Sequence, residues 1–83
     1  MTKETFYFIV SYEDNLKTGG NVVFSTNIIE VNAVDEVYAA IAATKHAAKH
    51  AARYHYADYG LTPALYHQIA ECLRKGMPKE TLG

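Results

Sequence analysis

The stretch Phe6-Tyr7-Phe8-Ile9-Val10-Ser11-Tyr12 is rich in aromatic and β-branched residues, which favour an extended strand. Residues 21–31 form a second run of the same kind, again with alternating large side chains. The polar segment 13–20 between the two runs contains Gly19 and Gly20, as longer hairpin loops commonly do. The sequence therefore predicts a β-hairpin over residues 5–31.

A long helix is predicted over residues 33–59. Asn32 can cap its start, and the acids Asp35 and Glu36 suit the positive end of the helix dipole. The apolar residues at i, i+3, i+4 and i+7 predict its buried face, namely Val34, Val37, Tyr38 and Ile41. Truncating a buried side chain of this size is expected to cost about 2–4 kcal/mol.

A shorter second helix is predicted over residues 63–75, after Gly60 as a stop and Thr62-Pro63 as cap and first helical position. Its predicted buried face consists of Leu65, Tyr66, Ile69, Cys72 and Leu73. Residues 77–83 are predicted to be a short tail. The predicted fold class is α+β, an antiparallel β-hairpin followed by one long and one shorter α-helix, in the order ββαα. With only 83 residues, we expect one domain over residues 1–83.

Composition excludes several classes of protein. The net charge of −1 argues against a nucleic-acid mimic, and no apolar run approaches the roughly 18–20 residues that span a bilayer. No apolar stretch near the start suggests a secretory signal. The single Cys72 cannot form an internal disulfide, so a reducing compartment is expected.

The charges are unevenly spread along the chain. Residues 1–44 carry two lysines against six acids, whereas residues 45–83 carry six bases against three acids. A four-residue step turns a helix by about 400°, so basic residues that repeat at this step stay on one broad face. The residues predicted to form this face are Lys45, His46, Lys49, His50 and Arg53.

Two interpretations of this basic face remain open. It can be an anion-contacting surface for phosphate or for an acidic patch of a partner protein, or an ordinary solvated helix face rich in alanine. The acidic residues Glu13 and Asp14 of the hairpin loop could similarly engage a basic partner, or only be solvated. Together these seven residues are the candidate partner-binding residues.

Neither a metal site nor a catalytic site is predicted. His46 and His50 have the i, i+4 spacing that suits a metal ion, but no third ligand follows at a recognised spacing and the neighbouring lysines would repel a cation. Cys72 falls on an apolar helix face, where a free cysteine usually acts as a small hydrophobe. Paired carboxylates, a Gly-rich phosphate loop and a Ser/His/Asp arrangement do not stand out. We therefore expect a non-enzymatic protein without cofactors.

The pattern over residues 5–41 resembles small phage- and prophage-encoded accessory proteins. In these proteins an aromatic β-hairpin, here Phe6–Tyr12 and Val22–Ile29, precedes an amphipathic helix, here with its Asp35-Glu36 start. Some members inhibit bacterial defence systems, as anti-CRISPR proteins do. The resemblance implies a stoichiometric inhibitor in the cytoplasm of a bacterial host, and it assigns no functional residue.

The function predicted is a non-enzymatic protein-binding module that inhibits a host or CRISPR-type defence protein by covering its surface. The alternative is a small nucleic-acid-binding protein that uses the basic face of the long helix. The near-neutral charge weighs against this alternative, since non-specific affinity comes mainly from neutralised phosphates. A homodimer is favoured over a monomer, because a lone hairpin leaves its strand edges open.

Overall fold

The computed structural model describes residues 2–18 and 21–83 and shows an α+β protein with a four-stranded mixed sheet and two helices. The elements follow in the order β1 (Glu4–Thr18), β2 (Asn21–Ala33), α1 (Glu36–Arg53), β3 (Asp58–Ala64), α2 (Tyr66–Arg74) and β4 (Lys79–Leu82). The α+β class is confirmed, but the predicted order ββαα is wrong, because the chain runs ββαβαβ. Within the described ranges, no helix has the length and apolar character that crossing a membrane requires.

The sheet is built around the predicted hairpin, with strand order β3-β1-β2-β4. β1 and β2 are antiparallel, with Phe8 opposite Ile29. β3 pairs antiparallel with β1 along residues 7–13, and β4 pairs parallel with β2 along residues 28–31. These two strands cover part of each hairpin edge. A homodimer was favoured because open strand edges were expected, and this coverage makes that reason much weaker. The dimer itself stays a prediction.

Helix α1 packs on one face of the sheet through a stripe of alanines. Its buried residues recur every four positions and are Ala39, Ala43, Ala47 and Ala51. The predicted buried face is wrong: Tyr38 is 60% exposed, and Val37 and Ile41 are also exposed. Small side chains let the helix lie close to a sheet whose own large side chains fill the space between them. Those sheet residues are Phe8, Val10, Tyr12, Ile29 and Val31.

The N-terminus of α1 is capped by Asp35, whose carboxylate accepts a hydrogen bond from the Tyr38 N–H at 3.0 Å. The prediction that Asn32 caps the helix is therefore wrong. The Asn32 side chain instead accepts a hydrogen bond from the Thr5 hydroxyl. The helix begins about three residues later than the sequence suggests, because β2 extends to Ala33.

The predicted long helix ends early, at Arg53 rather than at residue 59. His55 adopts a left-handed backbone conformation (φ 58°), which redirects the chain. The next residues then bond to β1: the Asn15 side chain donates to the His55 carbonyl, and the Ala57 N–H donates to the Glu13 carbonyl at 2.8 Å. Hydrogen bonds to a strand some 40 residues away thus replace the last turns of the helix.

Gly60, Thr62 and Pro63, which were predicted to end one helix and begin the next, belong to strand β3 instead. Gly60 pairs with Ser11 and Thr62 pairs with Ile9 inside this strand. Pro63 sits near its end, on an edge strand, where a missing N–H is tolerated. The predicted second helix therefore starts at Tyr66, and it stops before Gly76, whose φ of 84° confirms the predicted role of that glycine.

Helix α2 crosses the second face of the sheet. β3 and β4 lie at opposite edges, so the chain between them must cross the sheet, and α1 already covers the first face. Tyr7, which points away from α1, contacts Tyr66 with ring centroids 6.0 Å apart. Ile28 on the same face and Ile69 of α2 are both fully buried. The protein is therefore a three-layer arrangement of helix, sheet and helix.

The ends of the hairpin and of the chain also differ from expectation. The predicted loop starts at residue 13, whereas β1 continues to Thr18 with a register irregularity between Glu13 and Lys17. The predicted Gly19-Gly20 tip lies outside the described residues. The predicted tail of residues 77–83 contains β4, which begins directly after Pro78, whose carbonyl accepts a hydrogen bond from the Ile28 N–H.

Candidate functional site

The five predicted residues of the basic face occupy two neighbouring rows of α1. Lys45, Lys49 and Arg53 form an exposed row, because each follows the last by four residues. His46 and His50 form the adjoining row, next to the buried alanines, and are half-buried. The structure thus separates the strong bases, which face solvent, from the histidines, which face the sheet.

The two histidines meet a carboxylate from the other end of the chain. His46 Nε2 is hydrogen-bonded to Glu80 Oε2, and the contact is an ion pair when the imidazole is protonated. Glu80 reaches this side because β4 places it beside Ile29, whose side chain faces α1. The two histidines and Glu80 line a small cleft of about 290 Å³, together with Lys49, Arg53 and Tyr54.

Aromatic rings hold His50 in place. Its ring centroid lies 4.5 Å from that of Tyr12 and 4.6 Å from that of Tyr54. Tyr56 stacks on Tyr12 with centroids 5.0 Å apart, and the Arg53 guanidinium lies over the Tyr54 ring at 5.5 Å. The packing therefore restricts the orientation of His50 before any ligand binds.

Tyr12 is the fully buried residue beneath this cluster of rings. Burial, followed by the nearby charge of Glu80 and by Tyr56, raises the pKa of the Tyr12 phenol to about 12. Burial and Glu30 also raise the pKa of Tyr7 on the opposite face of the sheet. Both shifts favour the neutral phenol in the folded protein.

The raised pKa of Tyr12 makes stability depend on alkaline pH. A tyrosine in the unfolded chain has a pKa of about 10, so the unfolded state loses this proton at a lower pH than the folded state does. The free energy of unfolding should therefore fall as the pH rises from about 10 to 12. We expect the slope of the unfolding free energy against pH to be shallower in Tyr12→Phe than in the parent. Urea unfolding at a series of alkaline pH values measures both slopes; identical slopes would contradict the assignment.

The acidic residues predicted to engage a partner lie apart from the histidines. Glu13 alternates with Tyr12 along β1, so its side chain lies on the sheet face opposite α1. There it lines a shallow cleft of about 350 Å³ with Phe24 and Asp58. Asp14 follows it in β1 and is half-buried. The structure therefore does not unite Glu13 with the basic face of α1 in one surface.

A mostly apolar cleft of about 690 Å³ lies at the N-terminal end of α1. Val37 and Ile41 of α1 form one wall, and Leu65 and Tyr66 at the start of α2 form the other. Leu65 is 64% exposed and Tyr66 is 71% exposed. Large apolar side chains clustered on a surface mark an interaction site more often than scattered ones do.

A free strand edge adjoins this apolar cleft. Pairing of β3 with β1 stops where Ala64 faces Tyr7. Within the described part of the chain, no strand pairs with Glu4–Phe6 on that side, although β1 continues there. Thr5 and Phe6 also line the cleft. The cleft thus combines apolar walls with backbone groups that an extended segment can pair with.

The two sites flank α1 on opposite sides of its buried stripe. Positions 46 and 50 lie to one side of the alanines, toward β4, whereas positions 37 and 41 lie to the other side, toward β3. Variants at one site can therefore serve as controls for the other.

Comparisons with protein-family models, with curated proteins and with solved structures found no match to this chain.

Sequence reasoning missed the residues that complete both sites. Glu80 was placed in a tail, and the alternation of Lys79, Glu80, Thr81 and Leu82 is too short to identify a strand. Leu65 and Tyr66 were assigned to the buried face of the second helix. Their exposure follows from the position of β3, which no local pattern indicated.

Proposed function

We propose that this chain is a non-enzymatic protein-binding module whose docking surface is the apolar cleft between α1 and the start of α2. The observation that carries the proposal is the exposure of the cleft walls, where Val37, Leu65 and Tyr66 each leave most of their surface open to solvent. A few side chains in well-packed pockets supply most of the binding energy at protein interfaces, and tyrosine is among the residue types enriched there.

The chemistry of the cleft suits an extended apolar segment of a partner. Among the described residues that line it, Glu36 alone is charged, which favours a segment carrying one basic residue beside its apolar side chains. The unpaired edge at Glu4–Phe6 can bond such a segment along its backbone, as in β-strand addition. A module of this kind acts by covering its partner's surface.

The partner class to test first is a host or defence protein of a bacterium. The resemblance of residues 5–41 to phage accessory proteins supports this choice, and the proposed activity is then stoichiometric inhibition. No catalytic step is needed for it.

One observation favours the nucleic-acid alternative. Lys45, Lys49 and Arg53 form an exposed row along α1, and Tyr54 lies half-exposed beneath the Arg53 guanidinium. Basic side chains beside an aromatic ring can contact phosphates and a stacked base. The row contains only three strong bases, however, so it would neutralise few phosphates.

The experiment compares the two surfaces in one assay. The immobilised parent chain captures proteins from a bacterial lysate, and quantitative mass spectrometry compares it with three variants. Val37→Asp/Ile41→Asp places charge in the cleft, and Lys49→Glu/Arg53→Glu reverses the basic row. Phe24→Asp is the matched control, because Phe24 is also exposed and apolar but lies about 16 Å further along the sheet.

We expect the cleft variant to lose a protein that the parent, the control and the charge-reversal variant all retain. For that purified protein, affinity should fall at least about thirtyfold, as loss of an interface hot spot does. A partner retained by the cleft variant but lost on charge reversal would overturn the proposal. Binding of naked DNA or RNA, weakened by charge reversal and by salt, would establish the alternative.

A further inference from the structure

We propose that His46, His50 and Glu80 bind a divalent transition-metal ion such as Zn²⁺, which ties α1 to β4. The three residues offer ligand atoms that all lie within 4.8 Å of one another. Metal binding at this site would be a property separate from the proposed protein binding, because the site and the apolar cleft lie on opposite flanks of α1.

The donor set suits zinc. Two imidazoles at i, i+4 on one helix and one carboxylate from elsewhere in the chain form a set that zinc binds in proteins. Zinc bonds of about 2.0–2.2 Å place tetrahedral ligand atoms about 3.4 Å apart. No pair of ligand atoms therefore has to approach by more than about 1.4 Å. His46 and Glu80, which are already hydrogen-bonded, must instead move apart to admit the ion, and rotation about side-chain bonds can supply both movements. Glu80 is free to make this movement, since its side chain is 40% exposed.

The surroundings hold the ligands ready. His50 is packed between the rings of Tyr12 and Tyr54, and His46 already bonds to Glu80. Groups that are oriented before a ligand arrives lose less conformational freedom on binding it. The sequence objection to a metal site, the lack of a third ligand, is thus removed by β4.

The nearby bases do not prevent binding. Lys49 and Arg53 line the same cleft but are exposed, so water and salt screen their charges and their flexible side chains can turn outward. The carboxylate of Glu80 compensates part of the metal charge. Three protein ligands leave a fourth position for water or an anion, and the two bases favour an anion there.

The test is a zinc titration of the untagged, chelator-treated chain by isothermal titration calorimetry. We expect one Zn²⁺ per chain and an affinity at least about tenfold weaker in Glu80→Gln, since even residues that only support metal ligands change affinity by about 10–100-fold. Glutamine keeps the size of Glu80 and an oxygen that can accept a hydrogen bond from His46, so this variant is expected to fold. His50→Gln should weaken binding similarly. His67→Gln, at an exposed histidine of α2, is the matched control and should bind like the parent.

A second measurement links the ion to the fold. Zn²⁺ that saturates the parent should raise the melting temperature of the parent and of His67→Gln by more than that of Glu80→Gln, because an ion that binds only the folded state stabilises it according to its affinity. Circular dichroism without metal checks that each variant is folded. Absence of zinc binding by the parent would overturn the proposal, and so would equal affinity in the parent and Glu80→Gln.

Discussion

Replacing Tyr12 with alanine should lower the free energy of unfolding by about 3–5 kcal/mol, as truncation of a buried aromatic side chain does. Tyr12 is 1% exposed and lies between the sheet and α1. Its ring contacts both His50 and Tyr56, so the substitution also removes the packing that orients the histidine. Urea unfolding followed by circular dichroism measures the loss.

The matched control for Tyr12 is Tyr38→Ala on the outer side of α1. Because Tyr38 is largely exposed, its truncation should change the unfolding free energy by less than about 0.5 kcal/mol. The hydrophobic periodicity of the sequence predicted a loss of about 2–4 kcal/mol at this position. A loss at Tyr38 as large as that at Tyr12 would mean that α1 presents the other side to the sheet.

Replacing Ile69 with alanine should cost about 2–5 kcal/mol, because its side chain is fully buried beneath α2. The effect tests whether α2 covers the second face of the sheet. Ile69 is the single fully buried residue of this helix, so its anchoring depends strongly on one side chain.

The control on the same helix is Leu73→Ala. Leu73 was predicted to share the buried face with Ile69, but it is exposed, so its truncation should cost less than about 1 kcal/mol. Equal losses at the two positions would contradict the described orientation of α2. The same urea unfolding experiment measures both variants.

The hairpin, the central part of α1 and the stop at Gly76 could be predicted because their signals are local. Alternating large side chains within β1 and β2 indicate strands without reference to any distant residue. The acids at the start of α1 and the left-handed Gly76 act on their own helix ends. The pairing of His46 with His50 is equally local, since four residues make about one helical turn.

The two edge strands could not be predicted, because their partners are distant in sequence. Asp58 pairs with Glu13 and Glu80 pairs with Ile29, so each strand is stabilised by hydrogen bonds to the hairpin rather than by its own residues. Gly60 and Pro63 carry strong local signals for helix ends, and the tertiary pairing overrides them. Both candidate sites inherit this dependence, because β4 supplies Glu80 and β3 positions Leu65 beside α1.

The local sequence was enough to predict a helix through the middle of the chain, although the predicted range 33–59 is wider than the observed Glu36–Arg53. The ends of this helix and the side of it that is buried depend on the tertiary structure. Two stripes obey the helical period: the large residues Val37, Tyr38 and Ile41, and the alanines that include Ala43 and Ala47. Burial of large side chains favours the first stripe when the helix is considered alone. Against a sheet that already carries Phe8, Tyr12 and Ile29, the small stripe packs closely and the large residues are left at the surface. There Val37 and Ile41 form one wall of the apolar cleft.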